Sequence, residues 1–572
     1  MKNDFFFSSL ALIFFSLAVF GAFKSFSFIP YWDMWEAYLN FYSRAPLNDF
    51  SIWWEQHNEH RPIISKLFFL IDFVLFDGRI WFLIFLNYLL VALGCVFFYL
   101  FAKELEILDY KWFTFFIIIW LYSFIQKENL NWGFQSQFFL AYLLPLVSLY
   151  FLQKSTKNEN LLDSSFLFAS FFSILSVFTM ANGMLILILN SVYTIILRMS
   201  LKRIFFSITL SIIFCSLYLH DYSSPTHLGL GTITSSLQNN PLGMLHYTFL
   251  YLGNPFYYFF GKGDFGQIIT ICFSIFLITS IAIFSLRALK LNKQKQNTII
   301  ALVFFIIFVI CTAAVTSGGR IIYGAQQSLN SRYTTPVLMA WLALFLLYLQ
   351  MVKFSYPSIQ SKIKVIFIVL VILMLPRQLK VFEILEQGFH SLQSTHSQIF
   401  KINQKNLFEK KIAALALELR INDLNQFKYV YHSPDRILQL TKNSFMKNLS
   451  FFGYEPYKNT NEMINKEIEL KKYNNSKCFG KINKFEIIDS DPLYLVLQGT
   501  IETTLNENLP KKFYLTSEKG LINGVVFTHK LASKNKLIGQ KEYYFKGYNY
   551  DSNEQKIVFV SNNKNCFFSV IK

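Results

Sequence analysis

The chain has 572 residues, of which 53% are hydrophobic and 15% charged, with a formal net charge of +18. A mean hydropathy of +0.36 excludes an ordinary soluble domain and points to a polytopic membrane protein. The positive balance suits basic loops beside anionic lipid. Nucleic acid is not an expected partner, because no basic stripe with stacking aromatics appears.

Apolar runs predict eleven spans, at residues 5–28, 80–102, 112–126, 134–153, 164–180, 182–197, 203–220, 266–286, 297–316, 333–352 and 363–376. The block 164–197 would extend about 51 Å as one helix, too long for a ~30 Å hydrocarbon core. Asn182-Gly183 in its middle is a turn signal, so two short helices are expected. The shorter stretch 62–76 contains Lys66 and Asp72 and is expected at the interface or buried at the bundle edge. Gly253-Asn254-Pro255 interrupts 241–260, which predicts a re-entrant hairpin. With the N-terminus inside, the loops 103–111, 154–163, 198–203, 287–296 and 353–362 fall on the cytoplasmic side, and they carry Lys and Arg throughout. Residues 30–79 then form a first outer loop region, and everything after about 377 is also outside.

Beyond the transmembrane domain (1–376) the composition changes. Residues 377–480 predict a membrane-proximal α/β region, with an amphipathic helix at 399–419 and a helix start at Ser433-Pro434-Asp435. Residues 481–572 hold seven short alternating segments separated by Gly, Asn, Asp and Lys, which predict a β-sandwich. Cys95, Cys215, Cys272 and Cys311 lie in apolar runs and suit burial. Cys478 and Cys566 bracket the strands and are disulfide candidates in an oxidising compartment. No CxxC or His/Cys spacing suggests a zinc site.

The polar, chemically varied stretches concentrate in the predicted outer loops. Asp33 and Glu36, flanked by Trp32 and Trp35, share a face if their segment is helical, and a carboxylate there can deprotonate a hydroxyl. An acidic pair anchored at the interface by tryptophans is the plainer alternative. A dense run follows in Glu55, His57, Asn58, Glu59, His60 and Arg61, where Glu59 is the next carboxylate candidate and a turn capping the next helix is the alternative. Asn129, Asn131, Trp132 and Gln135 can hydrogen-bond and stack on a sugar, as can Asn182, His57 and Asn58; Trp132 as a plain interface anchor and Asn182 as a turn residue are the alternatives. Arg320 and Arg332, beside Tyr333, suit a lipid-linked phosphate, with His60 and Arg61 as further candidates; snorkelling to headgroups is the alternative.

Taken together, YWDMWE, QHNEHRP, ENLNWGFQ, ANG, YLGNPF and GGR…SRYTTP resemble the GT-C superfamily of integral membrane glycosyltransferases. Within it the chain is most similar to the bacterial and phage-type glucosyltransferases that convert O-antigen serotype. The resemblance covers roughly the first 340 residues. It implies an inner-membrane enzyme with a periplasmic active site and C-terminal domain. The donor would be an undecaprenyl-phosphate hexose, glucose above all, and the acceptor a lipid-linked O-antigen or surface glycan. Membrane lipids, a flippase and a donor-synthesising enzyme would be its surroundings. It also implies an inverting mechanism with Asp33 as base and Arg320 and Arg332 on the leaving phosphate. The acidic motif is Asp-Met-Trp-Glu rather than Asp-x-Asp, so a divalent metal is not expected, and no other cofactor is implied. Alternatives are a related enzyme using mannose, arabinose, protein or lipid A, and a polysaccharide transporter. The scarcity of ionisable residues in the span centres disfavours transport.

Overall fold

A computed structural model describes residues 2–26, 30, 32–45, 50–223, 232–288, 293–382, 436, 440, 444, 447–454, 458–473, 477–488, 494–503, 509–535, 540–549, 556–561 and 566–571. The predicted helix at 399–419 and the Ser433-Pro434-Asp435 start lie outside these residues. The chain divides into two compact units. The first comprises residues 1–26, 50–69 and 81–392, and the second 27–49, 70–80 and 393–572.

The first unit is helical. Its principal helices are α1 (Lys2–Ser25), the start of α2 (Ile63–Phe76), α3 (Trp81–Glu104), α4 (Lys111–Leu121), α5 (Ser136–Ser155), α6 (Ser164–Val177), α7 (Gly183–Ile196), α8 (Leu201–Leu219), α9 (Pro241–Leu252), α10 (Asn254–Phe260), α11 (Asp264–Ala288), α12 (Lys293–Arg320), α13 (Thr334–Ser355) and α14 (Gln360–Leu379). The described residues of the eleven predicted stretches are mainly helical. Seven stretches are long and apolar enough to cross a bilayer: Phe5–Ser25, Trp81–Glu104, Gly133–Ser155, Leu201–Leu219, Asp264–Ala288, Lys295–Tyr323 and Ser331–Ser355. The protein is therefore membrane-embedded. In Gly133–Ser155 89% of the apolar window is buried, against 22% in Leu201–Leu219, so α5 is a core helix and α8 a peripheral one.

Aromatic side chains tie the helices together through their polar ends. Tyr88 Oη donates to the Ala18 carbonyl at 2.6 Å, and Tyr122 Oη to that of Tyr88 at 2.9 Å. Trp120 Nε1 donates to Leu338 at 2.7 Å, and Trp341 Nε1 to Leu252 at 3.0 Å. The two expected helix breaks are present. Gly183 opens α7 where a Cβ would lie 2.1 Å from the Ser176 carbonyl oxygen, and Gly253 separates α9 from α10 where a Cβ would lie 2.0 Å from that of Thr270. Only glycine fits such approaches.

Basic side chains hold the irregular backbone. Lys66 on α2 is 4% exposed, and its Nζ donates to the carbonyls of Ile52 (2.6 Å), Glu55 (2.7 Å) and Trp53 (3.3 Å), around the end of the short helix Ser51–Trp54. Arg203 is fully buried and donates to Ser155 and Asn160. Its predicted place in a plain basic loop is thus also a structural clamp.

In the second unit, residues Trp35–Asn40 form a π-helix followed by Phe41–Arg44. Tyr38 and Tyr42 stack on Phe73 from the end of α2, with centroids at 4.4 and 3.9 Å. Asp72 is fully buried, accepting from Tyr38 Oη at 2.6 Å and from the Ile80 amide at 3.1 Å. The 62–76 stretch therefore buries its two charges against internal partners while Leu67, Val74 and Leu75 are exposed.

The seven strands are β1 (Cys478–Ile488), β2 (Tyr494–Thr503), β3 (Lys512–Thr516), β4 (Ile522–Asn535), β5 (Gln540–Asn549), β6 (Lys556–Val560) and β7 (Phe567–Ile571). They form one antiparallel sheet in the order β1-β2-β5-β4-β3-β6-β7, not the two facing sheets of the expected sandwich. The sheet curls, so its two outer strands meet: a Cβ on Gly480 of β1 would lie 2.1 Å from the Phe568 ring of β7. One cluster including Leu497, Ile501, Phe513, Val526, Phe545, Phe559 and Phe568 fills the inside. Alternation alone cannot separate a curled sheet from a sandwich, because both bury every second residue. Cys478 and Cys566 are disulfide-bonded with a Cα–Cα distance of 5.0 Å and a sequence separation of 88.

That bond joins the ends of nearly the whole sheet, so reducing it should destabilise the β domain by about 4–5 kcal/mol in the chain-entropy account. Limited proteolysis of the full-length protein across a denaturant series, with and without reductant, measures this. A midpoint that reductant leaves unchanged would show that the bond does not constrain the domain. Lys66→Met should cost about 1–3 kcal/mol, since it leaves carbonyls at the end of Ser51–Trp54 without a donor. The thermal midpoint in detergent is the measurement, and an unchanged midpoint would contradict the clamp.

Candidate functional site

The site is built from helix ends in the first unit. His57 and His60 exchange backbone hydrogen bonds at 2.8 and 2.9 Å, closing a tight turn with Asn58 and Glu59 at its tip. Asn58 has φ 50°, a region that asparagine tolerates better than most residues. The turn is packed by His57 against the edge of Phe134, with centroids at 5.6 Å. His60 Nδ1 accepts from the Ala181 amide at 3.2 Å, which seats the α6–α7 turn against it.

Glu59 reaches the end of α12. Its Oε1 accepts from Arg320 Nη2 at 2.5 Å and lies 3.7 Å from His60 Nε2. Burial alone would raise the Glu59 carboxyl; the charges of His60 and Arg320 and the Arg320 hydrogen bond outweigh it and hold it at about 2. Burial likewise pushes His60 below its usual value, against the pull of Glu59. Nδ1 is an acceptor, so the neutral ring carries its proton on Nε2, facing Glu59. At neutral pH Arg320 is thus the cation that keeps Glu59 ionised. Glu59 Oε2 and Asn182 Oδ1 are both buried and make no hydrogen bond among the described residues. The Asn182 amide nitrogen is 3.5 Å from Thr312 Oγ1 on α12.

Beyond Arg320 the polar region continues into tyrosines. Tyr247 on α9 is fully buried and donates to Gln327 Oε1 at 3.0 Å. It also feels the charges of both Arg320 and Arg332. Tyr251 packs on Tyr333 at 5.2 Å, and its hydroxyl lies 3.2 Å from that of Tyr142. The Arg332 guanidinium sits over the Tyr333 ring at 5.5 Å and 4.0 Å from Glu128. Asn129 fixes this segment, donating at 2.7 Å to both the Arg332 carbonyl and Thr335 Oγ1.

The predicted residues thus separate. Glu59, His60, Arg320, Arg332, Tyr333 and Asn182 belong to one connected polar region. Arg61 does not serve it as a phosphate ligand. It is 3% exposed, stacked on Trp54 at 4.8 Å, and donates to the carbonyls of Trp54, Tyr218 and His220. Gln135 is fully buried, and neither end of its amide is hydrogen-bonded among the described residues. Asn131 and Trp132 are half-buried at the same helix junction, where Asn87 donates to the Trp132 carbonyl at 2.9 Å. Asp33, Glu36, Trp32 and Trp35 belong to the second unit. There Trp35 is fully buried, so it is a core residue and not a stacking platform. Glu36 is held by Arg436 through both carboxylate oxygens, at 2.5 and 2.9 Å. Asp33 and Trp32 are half-buried, and Trp32 has φ 51°, uncommon for so bulky a residue. Among the described residues no group of three or more His, Cys, Asp or Glu is placed to hold a metal ion.

Sequence reading singled out Asn129 but missed Tyr247, Tyr251 and Gln327. The tyrosines sit in an apolar run whose period shows a buried helix, and only proximity to two arginines distinguishes them from core aromatics. No protein-family model matches the chain, and no curated protein matches it.

The pair gives a pH dependence with a definite sign. Glu59, lowered on folding, stabilises above its unfolded value of about 4.5, and that contribution is lost as pH falls towards about 2. His60, also lowered, resists protonation, so its effect sets in below about 6.5. Acid should therefore destabilise the protein in two stages. Glu59→Gln should remove the lower one, on the order of 2 kcal/mol. Thermal midpoints from pH 7 to pH 3 check this, and an identical acid slope in the variant would count against the pairing.

Proposed function

We propose that the protein is an inverting glycosyltransferase that moves a hexose, glucose in the simplest case, from undecaprenyl-phosphate to a lipid-linked glycan. The observation that carries the reading is the composition of one buried region. It combines two guanidiniums and two tyrosine hydroxyls with acceptor oxygens that have no donor among the described residues. Arginines and hydroxyls suit a phosphate. Glu59 Oε2 and Asn182 Oδ1 suit the opposite partner, since a sugar hydroxyl donates and an ionised phosphate only accepts. A phosphate-linked sugar satisfies both halves at once.

Asp33 is the proposed base. It takes the proton from the acceptor hydroxyl as that oxygen attacks the anomeric carbon. The bond from that carbon to the phosphate oxygen breaks, its electron pair leaves with the polyprenyl phosphate, and configuration inverts. Arg320 and Arg332 stabilise the charge that develops there. Glu36 is the weaker candidate, because Arg436 occupies both its oxygens. The chemistry is read onto the periplasmic side of a bacterial inner membrane, with eleven spans and a cytoplasmic N-terminus. The support is the basic character of loops 103–111, 154–163, 198–203, 287–296 and 353–362.

The test is transfer from a defined polyprenyl-phosphate hexose to isolated lipid-linked glycan by purified variants of matched thermal midpoint. Asp33→Asn should lower turnover about 10²–10⁴-fold. Arg320→Ala and Arg332→Ala should weaken donor use more than acceptor use, each by about 1.5–3 kcal/mol. No hexose transfer by the wild type would refute the reading. Normal turnover in Asp33→Asn would remove Asp33 from the mechanism.

A further inference from the structure

Two parts of the first-loop region, 27–49 and 70–80, belong with the C-terminal part of the chain, not with the helices that flank them in sequence. Four sets of contacts make that association. Arg436 donates from Nε to Glu36 Oε1 at 2.5 Å and from Nη2 to Oε2 at 2.9 Å. Lys447 Nζ donates to the Ser43 carbonyl at 2.8 Å. Ser450 Oγ donates to the Gly78 carbonyl at 3.1 Å. Tyr454 Oη donates to the Asp77 carbonyl at 2.9 Å and accepts from Arg79 Nε at 2.8 Å, with the guanidinium 4.6 Å from the ring centre.

The two-pronged contact is at an informative place. Trp35 N donates to the Trp32 carbonyl at 3.1 Å and Ala37 N to the Asp33 carbonyl at 2.9 Å. Glu36 therefore lies in the turn that begins with Trp32 and Asp33, and the π-helix Trp35–Asn40 follows directly. A bulky residue at φ 51° and a π-helix are both conformations that the surroundings must hold, and both recur at functional sites. An isolated exposed ion pair would hold little. Here one planar guanidinium engages both carboxylate oxygens, the Glu36 side chain is 19% exposed, and Asn40 Nδ2 also approaches Glu36 Oε2 at 3.4 Å.

We propose that Arg436 is a positioning residue: through Glu36 it sets the Trp32–Asp33 turn, so the C-terminal region governs the orientation of the Asp33 carboxylate. The claim that this matters for turnover rests on the glycosyltransferase reading. The claim that Arg436 holds the loop does not.

Two measurements on the full-length protein separate them. Hydrogen exchange of residues 34–44 should speed at least 10-fold in Arg436→Ala, while β2 and β4 stay as protected as in the wild type. In the transfer assay Arg436→Ala should lower kcat about 10–100-fold with donor KM within twofold. Arg436→Lys should recover only part of the loss, since it keeps the charge without the fork. The exchanged pair Glu36→Arg/Arg436→Glu should recover more than either single change. Unchanged exchange in Arg436→Ala refutes the proposal whatever the activity. Faster exchange with unaltered kcat, while Asp33→Asn is inactive, reduces Arg436 to a structural contact and overturns the positioning role. A wild type that moves no sugar refutes the glycosyltransferase reading and with it the positioning role, leaving exchange to decide the loop contact alone.

Discussion

Backbone carbonyls at helix ends and between helices must still find hydrogen-bond partners when they are buried in an apolar unit. In this protein the partners are long polar side chains aimed at carbonyl oxygens. Arg61 serves Trp54, Tyr218 and His220; Lys66 serves Ile52, Trp53 and Glu55; Arg203 serves Ser155 and Asn160. Amides do the same elsewhere. Asn87 binds the carbonyls of Asn129 and Trp132, Asn129 that of Arg332, and Asn254 that of Ser328. The candidate site depends on these contacts, because the 321–333 segment between α12 and α13 is broken into short 3-10 turns at Ile321–Tyr323, Ala325–Leu329 and Ser331–Tyr333. Asn254 and Asn129 fix two of its carbonyls, which fixes where Arg320 and Arg332 can reach.

This explains what was legible in the sequence and what was not. Apolar run lengths marked the helices, since a bilayer demands length and hydrophobicity that little else does. Asn182-Gly183 and Gly253-Asn254-Pro255 marked the breaks, since only glycine tolerates a carbonyl at about 2 Å from its missing Cβ. Cys478 and Cys566 fell on opposite edges of the β region. Charged residues were harder. Arg61 and Arg320 look alike in sequence, each in a polar run beside a span. One is consumed by three carbonyls and the other meets a carboxylate across 261 residues. That difference is set by tertiary contact, which periodicity does not encode. The curled sheet escaped for a related reason: alternation reports which residues face inward, not which strands become neighbours.

The division of the chain carries a similar lesson. Residues 30–62 read as one continuous outer stretch, with Asp33 and Glu59 as neighbouring carboxylates. The fold assigns them to different units. Glu36 is neutralised by Arg436 and Glu59 by Arg320. A carboxylate locked in such a pair is a poor base, because proton uptake must first break the pair. Charge pairing therefore weakens Glu36 and Glu59 as bases, which composition does not reveal.

The Glu59–Arg320 pair has a further consequence for anion recognition. A partly buried guanidinium beside a second arginine would repel it without a counterion, and removing one partner of a buried pair is costly. Glu59 supplies that counterion through one oxygen and keeps Oε2 unengaged. Arg320 spends one arm of its fork on Glu59, and a guanidinium has further N–H groups to offer an incoming oxyanion. A dianionic ligand would then share Arg320 with Glu59 and bring its negative charge near an existing one. The neighbouring Arg332 and the Tyr247 and Tyr333 hydroxyls offset that repulsion. On the proposed function, this arrangement suits a ligand with limited negative charge and hydroxyl donors close to it better than a bare phosphate ion, a balance that a phosphodiester carrying a sugar has.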